Sequence, residues 1–241
     1  MKVTILGSGN IGTDLLVKIL KSKHLECVMF AGQRENSPGL QKAKELGVPT
    51  SSDGIDAILA TDAKIVFDAT NSENHKKIAP LLKNRFVIDL TPAKIAPICI
   101  PSVNLKSCLK EKEVNMGSCT VQAVIPRLAK IKDLDYVEVV STIASDSAGM
   151  STRQNLSEYL VTTAKTIEKF TGAKAKSILV INPVLQKMHN TIYYKVKGSD
   201  KVRIIQFEID GQGDYLDKRF GNLDIMTVNA LKVAEEYAKK H

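Results

Sequence analysis

The segment from Lys2 to Gly12 restricts the possible fold more than any other part of the sequence. It reads Lys-Val-Thr-Ile-Leu-Gly-Ser-Gly-Asn-Ile-Gly, a β-rich run followed by a glycine turn. An apolar helical pattern continues at Leu15, Leu16 and Ile19. A strand that passes through Gly-x-Gly-x-x-Gly into a helix is typical of a dinucleotide-binding unit. We therefore predict the first strand and helix of a Rossmann-type fold.

Each glycine of this turn has its own expected role. Gly7 permits the tight turn, Gly9 lets a pyrophosphate approach the backbone, and Gly12 lets the helix pack closely on the strand. Backbone N–H groups at the start of the helix would then hold the phosphates. The predicted cofactor-binding residues of the turn are Gly7, Ser8, Gly9, Asn10, Ile11 and Gly12.

The residues after the second predicted strand leave the choice between NAD and NADP open. An acidic residue at the end of this strand would bind the adenosine ribose hydroxyls, but Cys27–Ala31 leads into Gly32, Gln33 and Arg34. Arg34 can stack on adenine or hold a 2′-phosphate, or it is a solvated loop cation. Glu35 comes too late in the chain for the usual ribose contact.

Strands and helices alternate through the first half of the chain. The expected strands are 64–69, Phe86–Leu90 and Val114–Met116, and the expected helices are Pro38–Leu46, Ile55–Leu59 and Asn74–Leu82. The prolines at positions 92, 97 and 101 predict a loop. This alternation predicts an α/β fold, a Rossmann-type doubly wound parallel sheet covered by helices on both faces.

The second half is expected to form a smaller α+β lobe. Its predicted strands are Tyr136–Ile143, Ser177–Ile181, Thr191–Tyr194 and Val202–Ile209, and its predicted helices are Thr152–Phe170 and a last helix from Asp224. Residues 198–200 suit a hairpin turn. We therefore divide the chain into a dinucleotide-binding domain, residues 1–118 plus 225–241, and a catalytic, substrate and dimerisation domain, residues 119–224.

Composition argues against several other classes of protein. The 241 residues, 44% of them hydrophobic, are enough to bury a substantial core in one or two domains. The chain opens on a strand without a signal-peptide pattern and has no long apolar run, so we expect a cytoplasmic protein without a membrane segment. The net charge of +8 comes from scattered lysines rather than a basic stripe, which argues against nucleic-acid binding.

The chain has four cysteines, of which one stands out. Cys27, Cys99, Cys108 and Cys119 form no metal-binding pattern, so we expect reduced thiols and no zinc site. Cys27 and Cys99 lie in apolar runs and are expected in the core. Cys119 precedes a predicted helix, whose positive end would lower the pKa of the thiol. It is therefore either a nucleophilic thiolate or a small buried hydrophobe.

Motifs along the whole chain resemble those of the CoA-acylating acetaldehyde dehydrogenases. Besides the glycine turn with Thr13-Asp14-Leu15, they are 67–70 (Phe-Asp-Ala-Thr), 88–93 (Ile-Asp-Leu-Thr-Pro-Ala), 101–105 (Pro-Ser-Val-Asn-Leu), 114–116 (Val-Asn-Met), Cys119, Gln122-Ala123, Ile125-Pro126, 147–149 (Ser-Ala-Gly), Thr152-Arg153, Asn182-Pro183 and 221–227 (Gly-Asn-Leu-Asp-Ile-Met-Thr). The resemblance implies NAD-linked oxidation of a short aldehyde to an acyl-CoA by a homodimer or higher homo-oligomer. In this family the enzyme often has a 4-hydroxy-2-oxovalerate aldolase as its partner.

The resemblance also implies roles for single residues. The Cys119 thiolate would attack the aldehyde to give a thiohemiacetal, and hydride transfer to the nicotinamide would leave a thioester that CoA releases. Gln122 would help to stabilise the oxyanion, or it is a solvated helix residue. Ala69 and Thr70 would belong to the cofactor site. Asn222 would lie near the nicotinamide, or it caps the last helix.

The chain departs from the family pattern close to the expected chemistry. Thr120 and Val121 stand where the family has two glycines. Asn190 replaces a carboxylate, and an amide cannot take a proton. His189 can replace that carboxylate as the base, or it is a surface or core histidine. Asp146 replaces a lysine, as another candidate base or as a loop acid.

The second lobe is also shorter than the family pattern. Roughly 60 residues are missing between Tyr194 and Val202, which puts the aldolase partnership and the dimer surface in question. Two other functions stay open. One is an aspartate-dehydrogenase-like amino-acid or imine oxidoreductase, although Ile192 stands where that pattern has a histidine. The other is a dinucleotide-binding accessory protein that has lost turnover.

Overall fold

The chain divides into two compact units. The computed structural model describes residues 1–93, 95–149, 153, 156–184 and 186–241. The first unit contains Met1–Gly117, Asp214–Leu216 and Met226–His241, and the second contains Ser118–Gly213 and Asp217–Ile225. Among the helices of these described ranges, none is both long and apolar enough to cross a membrane.

The first unit is built around a six-stranded parallel sheet. Its elements are β1 (Lys2–Leu6), α1 (Asn10–Ile19), β2 (Glu26–Ala31), α2 (Pro38–Glu45), β3 (Thr50–Ser51), α3 (Ile55–Leu59), β4 (Ile65–Asp68), α4 (Ser72–Ile78), β5 (Phe86–Asp89), α5 (Pro101–Cys108) and β6 (Glu113–Asn115). A short 3-10 helix, Ala79–Leu82, follows α4. The strand order β3-β2-β1-β4-β5-β6 is that of the Rossmann fold. The predicted fold class is confirmed.

Buried apolar side chains explain why β1, β4 and β5 lie at the centre of this sheet. Val3, Phe67 and Ile88 are fully buried, as expected for parallel strands that helices cover on both faces. At the carboxyl edge, β4 and β5 end side by side with Asp68 opposite Asp89. The fold therefore brings two buried carboxylates together at the edge where ligands bind in such sheets.

The second unit contains a four-stranded mixed sheet. Its elements are α6 (Cys119–Leu128), β7 (Leu134–Ala144), α7 (Leu156–Thr171), β8 (Lys174–Asn182), β9 (Met188–Val196) and β10 (Arg203–Ile209), and α8 (Gly221–Ala238) follows them. The strand order is β10-β9-β7-β8, with β7 and β8 parallel and the other pairs antiparallel. Helices α6 and α7 pack on one face of this sheet.

The other face of this sheet carries exposed apolar side chains. Ile178 and Val180 of β8 and Ile204 of β10 are 42%, 41% and 58% exposed. The hairpin between β9 and β10 turns at Gly198, where φ is +75°, in the left-handed region that glycine adopts without strain. The predicted turn at residues 198–200 is confirmed.

Several predicted boundaries were wrong. Pro101 begins α5 instead of belonging to a loop, because proline fits the first turn of a helix, where no N–H is needed. The last helix begins at Gly221 rather than Asp224. Strand β3 was not predicted, since two residues show no periodicity. The motif residue Thr152 and the predicted start of α7 lie outside the described residues.

Candidate functional site

A cleft of about 550 Å³ lies at the carboxyl edge of the first sheet. The loops that follow β1, β2, β3 and β4 form its walls. Predicted cofactor residues that line it are Gly7, Ser8, Gly9, Arg34, Ala69 and Thr70. Asn10, Ile11 and Gly12 lie behind them in the first turn of α1. Six of the predicted cofactor-binding residues therefore line this cleft.

The three glycines of the turn meet different surroundings. Gly7 has a φ of +115°, and a Cβ there would come within 2.5 Å of the Ala69 oxygen. A Cβ on Gly12 would overlap the Gly7 oxygen at 1.9 Å. Gly9 has no atom of the described residues within 4 Å of its Cβ position. The backbone at Gly9 is therefore open to a ligand, as a pyrophosphate requires.

Alanine at Gly9 and at Gly12 should have different consequences. Gly9→Ala leaves the fold intact, but it weakens NAD(P)H binding by about tenfold or more, because the methyl group occupies the space of the approaching phosphate. Gly12→Ala lowers the free energy of unfolding by about 2 kcal/mol or more through overlap with Gly7. Thermal unfolding and a fluorescence titration with NADH measure both effects. Unchanged affinity in Gly9→Ala would contradict a phosphate position above this turn.

The cleft also contains polar residues that the sequence analysis missed. Asp53, Asn71 and Asn74 line it together with Thr70. Asp53 follows β3 and is a second acidic candidate for the ribose hydroxyls, beside the displaced Glu35. No motif marks Asp53, because it reaches the cleft only through the pairing of β2 with β3.

Thr70 is fixed in the cleft by Asp68. One oxygen of the Asp68 carboxylate accepts hydrogen bonds from the Thr70 backbone N–H at 2.9 Å and from its hydroxyl at 2.6 Å. The Asn74 amide donates to the same hydroxyl at 3.1 Å. Thr70 therefore presents a preorganised polar edge to whatever binds in the cleft.

The other oxygen of Asp68 belongs to a buried charge cluster that sequence reasoning also missed. The two ring nitrogens of His75 donate to Asp68 and Glu113, each at 2.8 Å, and Asp89 lies 3.4 Å away. Burial opposes the positive charge, but the hydrogen bonds to Asp68 and Glu113 and the charges of Asp89 and Asp68 raise the pKa of His75 to about 10. His75 is thus a buried cation.

Asp89 completes this cluster. Burial raises the pKa of Asp89 to about 6, although His75 and Thr91 partly oppose the shift. The Asn115 amide donates to the Asp89 carboxylate at 2.6 Å. The potential ligand atoms of His75, Asp89 and Glu113 lie within 4.8 Å of one another. Because both nitrogens of His75 already donate to carboxylates, the arrangement is that of a salt-bridged histidine.

In the second unit, Cys119 occupies the first position of α6. Ser118 precedes it as the N-cap, and its hydroxyl accepts from the Val121 N–H at 3.3 Å. The Cys119 residue is partly exposed. The expectation of a lowered thiol pKa was wrong, because burial raises the pKa of Cys119 more than Tyr159, Thr120 and the backbone N–H groups lower it. Cys27 and Cys99 lie in the core, as predicted.

A chain of hydrogen bonds leads from the thiol into the protein. Cys119 Sγ lies 3.3 Å from the Tyr159 hydroxyl, which lies 2.9 Å from Thr120 Oγ1. Thr120 donates to Ser141 Oγ at 3.0 Å, and Ser141 donates to Asn190 Oδ1 at 2.7 Å. Thr120, Ser141 and Asn190 are fully buried. The sequence predicted Cys119 and Asn190, but no pattern marked Tyr159 or Ser141.

The remaining predicted catalytic residues have different positions. Gln122 lies one helical turn after Cys119 and is 1% exposed, so the alternative of a solvated helix residue was wrong. His189 precedes Asn190 in β9, and neighbouring strand residues point to opposite faces. His189 therefore lies on the open face of the sheet, where it contacts Thr191 at 3.3 Å, and the structure does not bring it to the thiol.

Two further side chains were candidates by resemblance or substitution. Asp146 is 43% exposed and forms an ion pair with Arg219 at 3.5 Å, as expected of a loop acid. Asn222 is buried in the second unit, and its amide donates to the Ser147 oxygen at 3.4 Å. Because α8 begins at Gly221, Asn222 lies inside the helix and the N-cap interpretation was wrong.

The sheet order and the glycine-lined cleft define the chain as a Rossmann-type oxidoreductase that binds NAD(P). Residues 2–93 match the family model described as NADP oxidoreductase, coenzyme F420-dependent. Residues 119–212 match the model described as prokaryotic acetaldehyde dehydrogenase, dimerisation. The two matches fall on the two units.

Curated relatives identify the family. The chain is 41% identical over 281 positions to an acetaldehyde dehydrogenase of Carboxydothermus hydrogenoformans, covering 100% of this chain and 94% of the relative. It is 41% identical over 282 positions to an acetaldehyde dehydrogenase of Spirochaeta aurantia, covering 99% and 95%. The chain therefore belongs to the acetaldehyde dehydrogenase family. Both alignments are about 40 positions longer than its 241 residues. The chain therefore lacks about 40 positions that these relatives have, and the expected deletion of roughly 60 residues was too large.

Solved structures show the same fold at low sequence identity. Aspartate semialdehyde dehydrogenase II of Vibrio cholerae, in complex with ASA, aligns with a TM-score of 0.66 at 13% identity, covering 96% of this chain and 97% of that one. A myo-inositol dehydrogenase of Corynebacterium glutamicum aligns with a TM-score of 0.62 at 11% identity, covering 98% and 88%. These likenesses concern the fold alone.

Proposed function

We propose that this protein interconverts a short aldehyde and its acyl-CoA through a thioester on Cys119, with NAD(P) as the hydride carrier and CoA as co-substrate. The observation that carries the proposal is the position of Cys119, a partly exposed residue, at the start of α6. It lies in the part of the chain that matches an acetaldehyde dehydrogenase model. The identity of 41% to named acetaldehyde dehydrogenases supports the same chemistry.

The first unit fits the cofactor. Gly7 and Gly12 allow a close turn, and Gly9 leaves its backbone open, which suits a pyrophosphate at the start of α1. A nicotinamide bound in this unit would supply the hydride acceptor for the reaction. We assign residues 1–118 and 225–241 to dinucleotide binding, and residues 119–224 to catalysis, substrate binding and dimerisation. We propose that Asn222 positions the nicotinamide and that Arg34 contacts the adenosine part of the cofactor.

Cys119 would form and release the acyl group. Its sulfur attacks the carbonyl carbon, the thiol proton leaves to solvent, and the carbonyl oxygen becomes the alkoxide of a thiohemiacetal. Loss of hydride from that carbon leaves a thioester on Sγ. The CoA thiol then loses its proton to solvent as its sulfur attacks the thioester carbonyl, and the Cys119 thiolate leaves. Sulfur suits both steps because a thiolate is a good nucleophile and a good leaving group.

The start of α6 would stabilise the oxyanion. Backbone N–H groups at a helix N-terminus are preorganised donors for negative charge. Gln122 lies one turn further along the helix, on the same side as Cys119, and its burial suits a polar group with a fixed role. We propose these groups as the oxyanion site.

A coupled assay tests the function. The protein is mixed with acetaldehyde and NAD⁺ or NADP⁺, with and without CoA, while absorbance at 340 nm records reduced cofactor and mass spectrometry records acetyl-CoA. The proposal expects reduced cofactor and acetyl-CoA in equal amounts, with turnover that depends on CoA. The same assay shows which of the two cofactors is preferred.

Other outcomes would support the alternatives. Oxidation of NAD(P)H by oxaloacetate with ammonia, without turnover of aldehyde, would indicate the amino-acid oxidoreductase. Binding of NAD(P)H without turnover in any mixture would indicate the accessory protein. Either outcome would overturn the proposed reaction, because the first proceeds without an acyl group and the second without hydride transfer.

The second unit would also form the homo-oligomer. The matching family model is one for dimerisation, and the open sheet face exposes Ile178, Val180 and Ile204. We propose that this face is covered by a second copy of the chain. We do not extend the proposal to an aldolase partner, since β9 and β10 are joined by a short hairpin at Gly198 where the family pattern has additional structure.

A further inference from the structure

One chain of hydrogen bonds leads from Cys119 through Tyr159, Thr120 and Ser141 to Asn190. The Thr120 hydroxyl connects Tyr159 with Ser141, so a glycine at position 120 would interrupt this path. The path joins the proposed nucleophile to a buried amide.

The direction of this path depends on the Asn190 amide. With Oδ1 toward Ser141, the Ser141 hydroxyl donates to it, Thr120 donates to Ser141, and Tyr159 donates to Thr120. Cys119 is then left as a donor to Tyr159. Each hydroxyl has a single proton, so this direction favours the neutral thiol.

The other atom of the amide is unused in this direction. Asn190 is fully buried, and within the described part of the chain its Nδ2 has no hydrogen-bond partner. A buried donor without a partner is costly, whereas an under-satisfied carbonyl oxygen is tolerated more often. A half-turn of the amide exchanges two atoms of similar size and removes that cost.

The half-turn reverses every bond of the path. Nδ2 then donates to Ser141, Ser141 to Thr120, Thr120 to Tyr159, and the Tyr159 hydroxyl to the Cys119 sulfur. A carboxylate at position 190 could not reverse the path, because an ionised carboxylate only accepts hydrogen bonds. Tyr159 remains neutral because burial and the negative charge of an adjacent Cys119 thiolate raise its pKa well above the ordinary value. It is therefore a donor and not a base.

We propose that Tyr159 is a catalytic residue that donates a hydrogen bond to the Cys119 thiolate, and that Asn190 is a positioning residue whose amide directs this bond through Ser141 and Thr120. The path moves no proton from one atom to another, since only the hydroxyl hydrogens and the amide rotate. The other groups that act on the thiol are the Thr120 hydroxyl and the backbone N–H groups of Cys119 and Thr120, all neutral. The inference rests on the proposed function only in taking Cys119 as the nucleophile.

The pH dependence of Cys119 alkylation tests this inference without aldehyde, cofactor or CoA. Iodoacetamide reacts with the thiolate, and peptide mass spectrometry follows Cys119 separately from the buried cysteines. Tyr159→Phe is expected to slow alkylation at pH 7.5 by about tenfold, which corresponds to a rise of about one unit in the thiol pKa. At high pH the alkylation rates of wild type and Tyr159→Phe converge, because Cys119 is then ionised in both proteins. Tyr136→Phe, in the same unit but bonded to Glu138, is the matched control and leaves the profile unchanged.

Asn190 is tested through a double-mutant cycle with Ser141. Asn190→Leu and Ser141→Ala each slow alkylation at pH 7.5, and the double variant is no slower than Ser141→Ala alone, because the path is already broken. Additive effects of the two substitutions, or an unchanged alkylation profile in Tyr159→Phe, would overturn the proposed role of this hydrogen-bond path. Melting temperatures and circular dichroism identify variants with a disturbed fold. If the Asn190 or Ser141 variants are disturbed, the alkylation profile of Tyr159→Phe decides the question. If the wild-type protein forms no acetyl-CoA but the alkylation profiles of the variants shift as expected, the proposed reaction is wrong and the proposed hydrogen-bond path is supported.

Discussion

Cys119→Ala is expected to lower CoA-dependent formation of reduced cofactor by at least about 10³-fold, because Cys119 is the proposed carrier of the acyl group and the other three cysteines are buried. Binding of NAD(P)H should be unchanged, since the cofactor cleft of the first unit does not include Cys119. Steady-state assays at 340 nm and a fluorescence titration with NADH measure the two quantities.

Cys27→Ala is the matched control for this prediction. Burial raises the pKa of the Cys27 thiol to about 12, as burial also raises that of Cys119, but Cys27 lies in β2 of the first unit. Its replacement should leave turnover within about twofold of wild type. If Cys119→Ala kept more than a tenth of the wild-type rate, thioester formation on Cys119 would be ruled out as the main route.

His75→Gln is expected to lower the free energy of unfolding by about 3 kcal/mol at neutral pH. The variant leaves the carboxylates of Asp68, Asp89 and Glu113 without the buried cation that holds them together, and breaking a buried ion pair in this way is strongly destabilising. Urea denaturation followed by circular dichroism measures the difference.

The pH dependence of this difference has a definite sign. The pKa of His75 is raised in the folded state to about 10 from an ordinary value of 6.5. Its stabilising contribution is therefore fully present below pH 6.5 and is lost as the pH rises toward 10. Wild type and His75→Gln should differ most near pH 6.5 and converge above pH 10. His24→Gln is the control because His24 is exposed, and a gap that widens with pH would contradict a charged His75.

Local sequence patterns predicted the features that depend on neighbouring residues. The glycine turn of residues 7–12 led to the position of the cleft, and the apolar runs of β1, β4 and β5 led to the central strands. The start of α6 at Cys119 followed from the change of pattern after Val114–Met116. In each case the physical cause lies within a few residues of chain, namely backbone freedom or the spacing of apolar side chains.

Features that depend on contacts between distant segments could not be predicted in this way. His75 meets Glu113 because β4, β5 and β6 lie side by side, and Tyr159 meets Cys119 because α7 packs near α6. The thiol pKa was misjudged for the same reason, since the helix start is a local feature and burial is not. His189 was a candidate base near Cys119, but it lies on the open face of the sheet. Which side chains of β9 face the helices depends on the register of β9 with β7.

The Asp68 carboxylate connects the cofactor cleft to the protein interior. One oxygen holds Thr70 at the cleft, and the other holds the buried cation His75. A change that frees His75 also frees the residue that orients Thr70, so cofactor affinity and the integrity of the sheet edge are thermodynamically linked. Loss of the His75 proton at alkaline pH is therefore expected to weaken cofactor binding as well as the sheet edge.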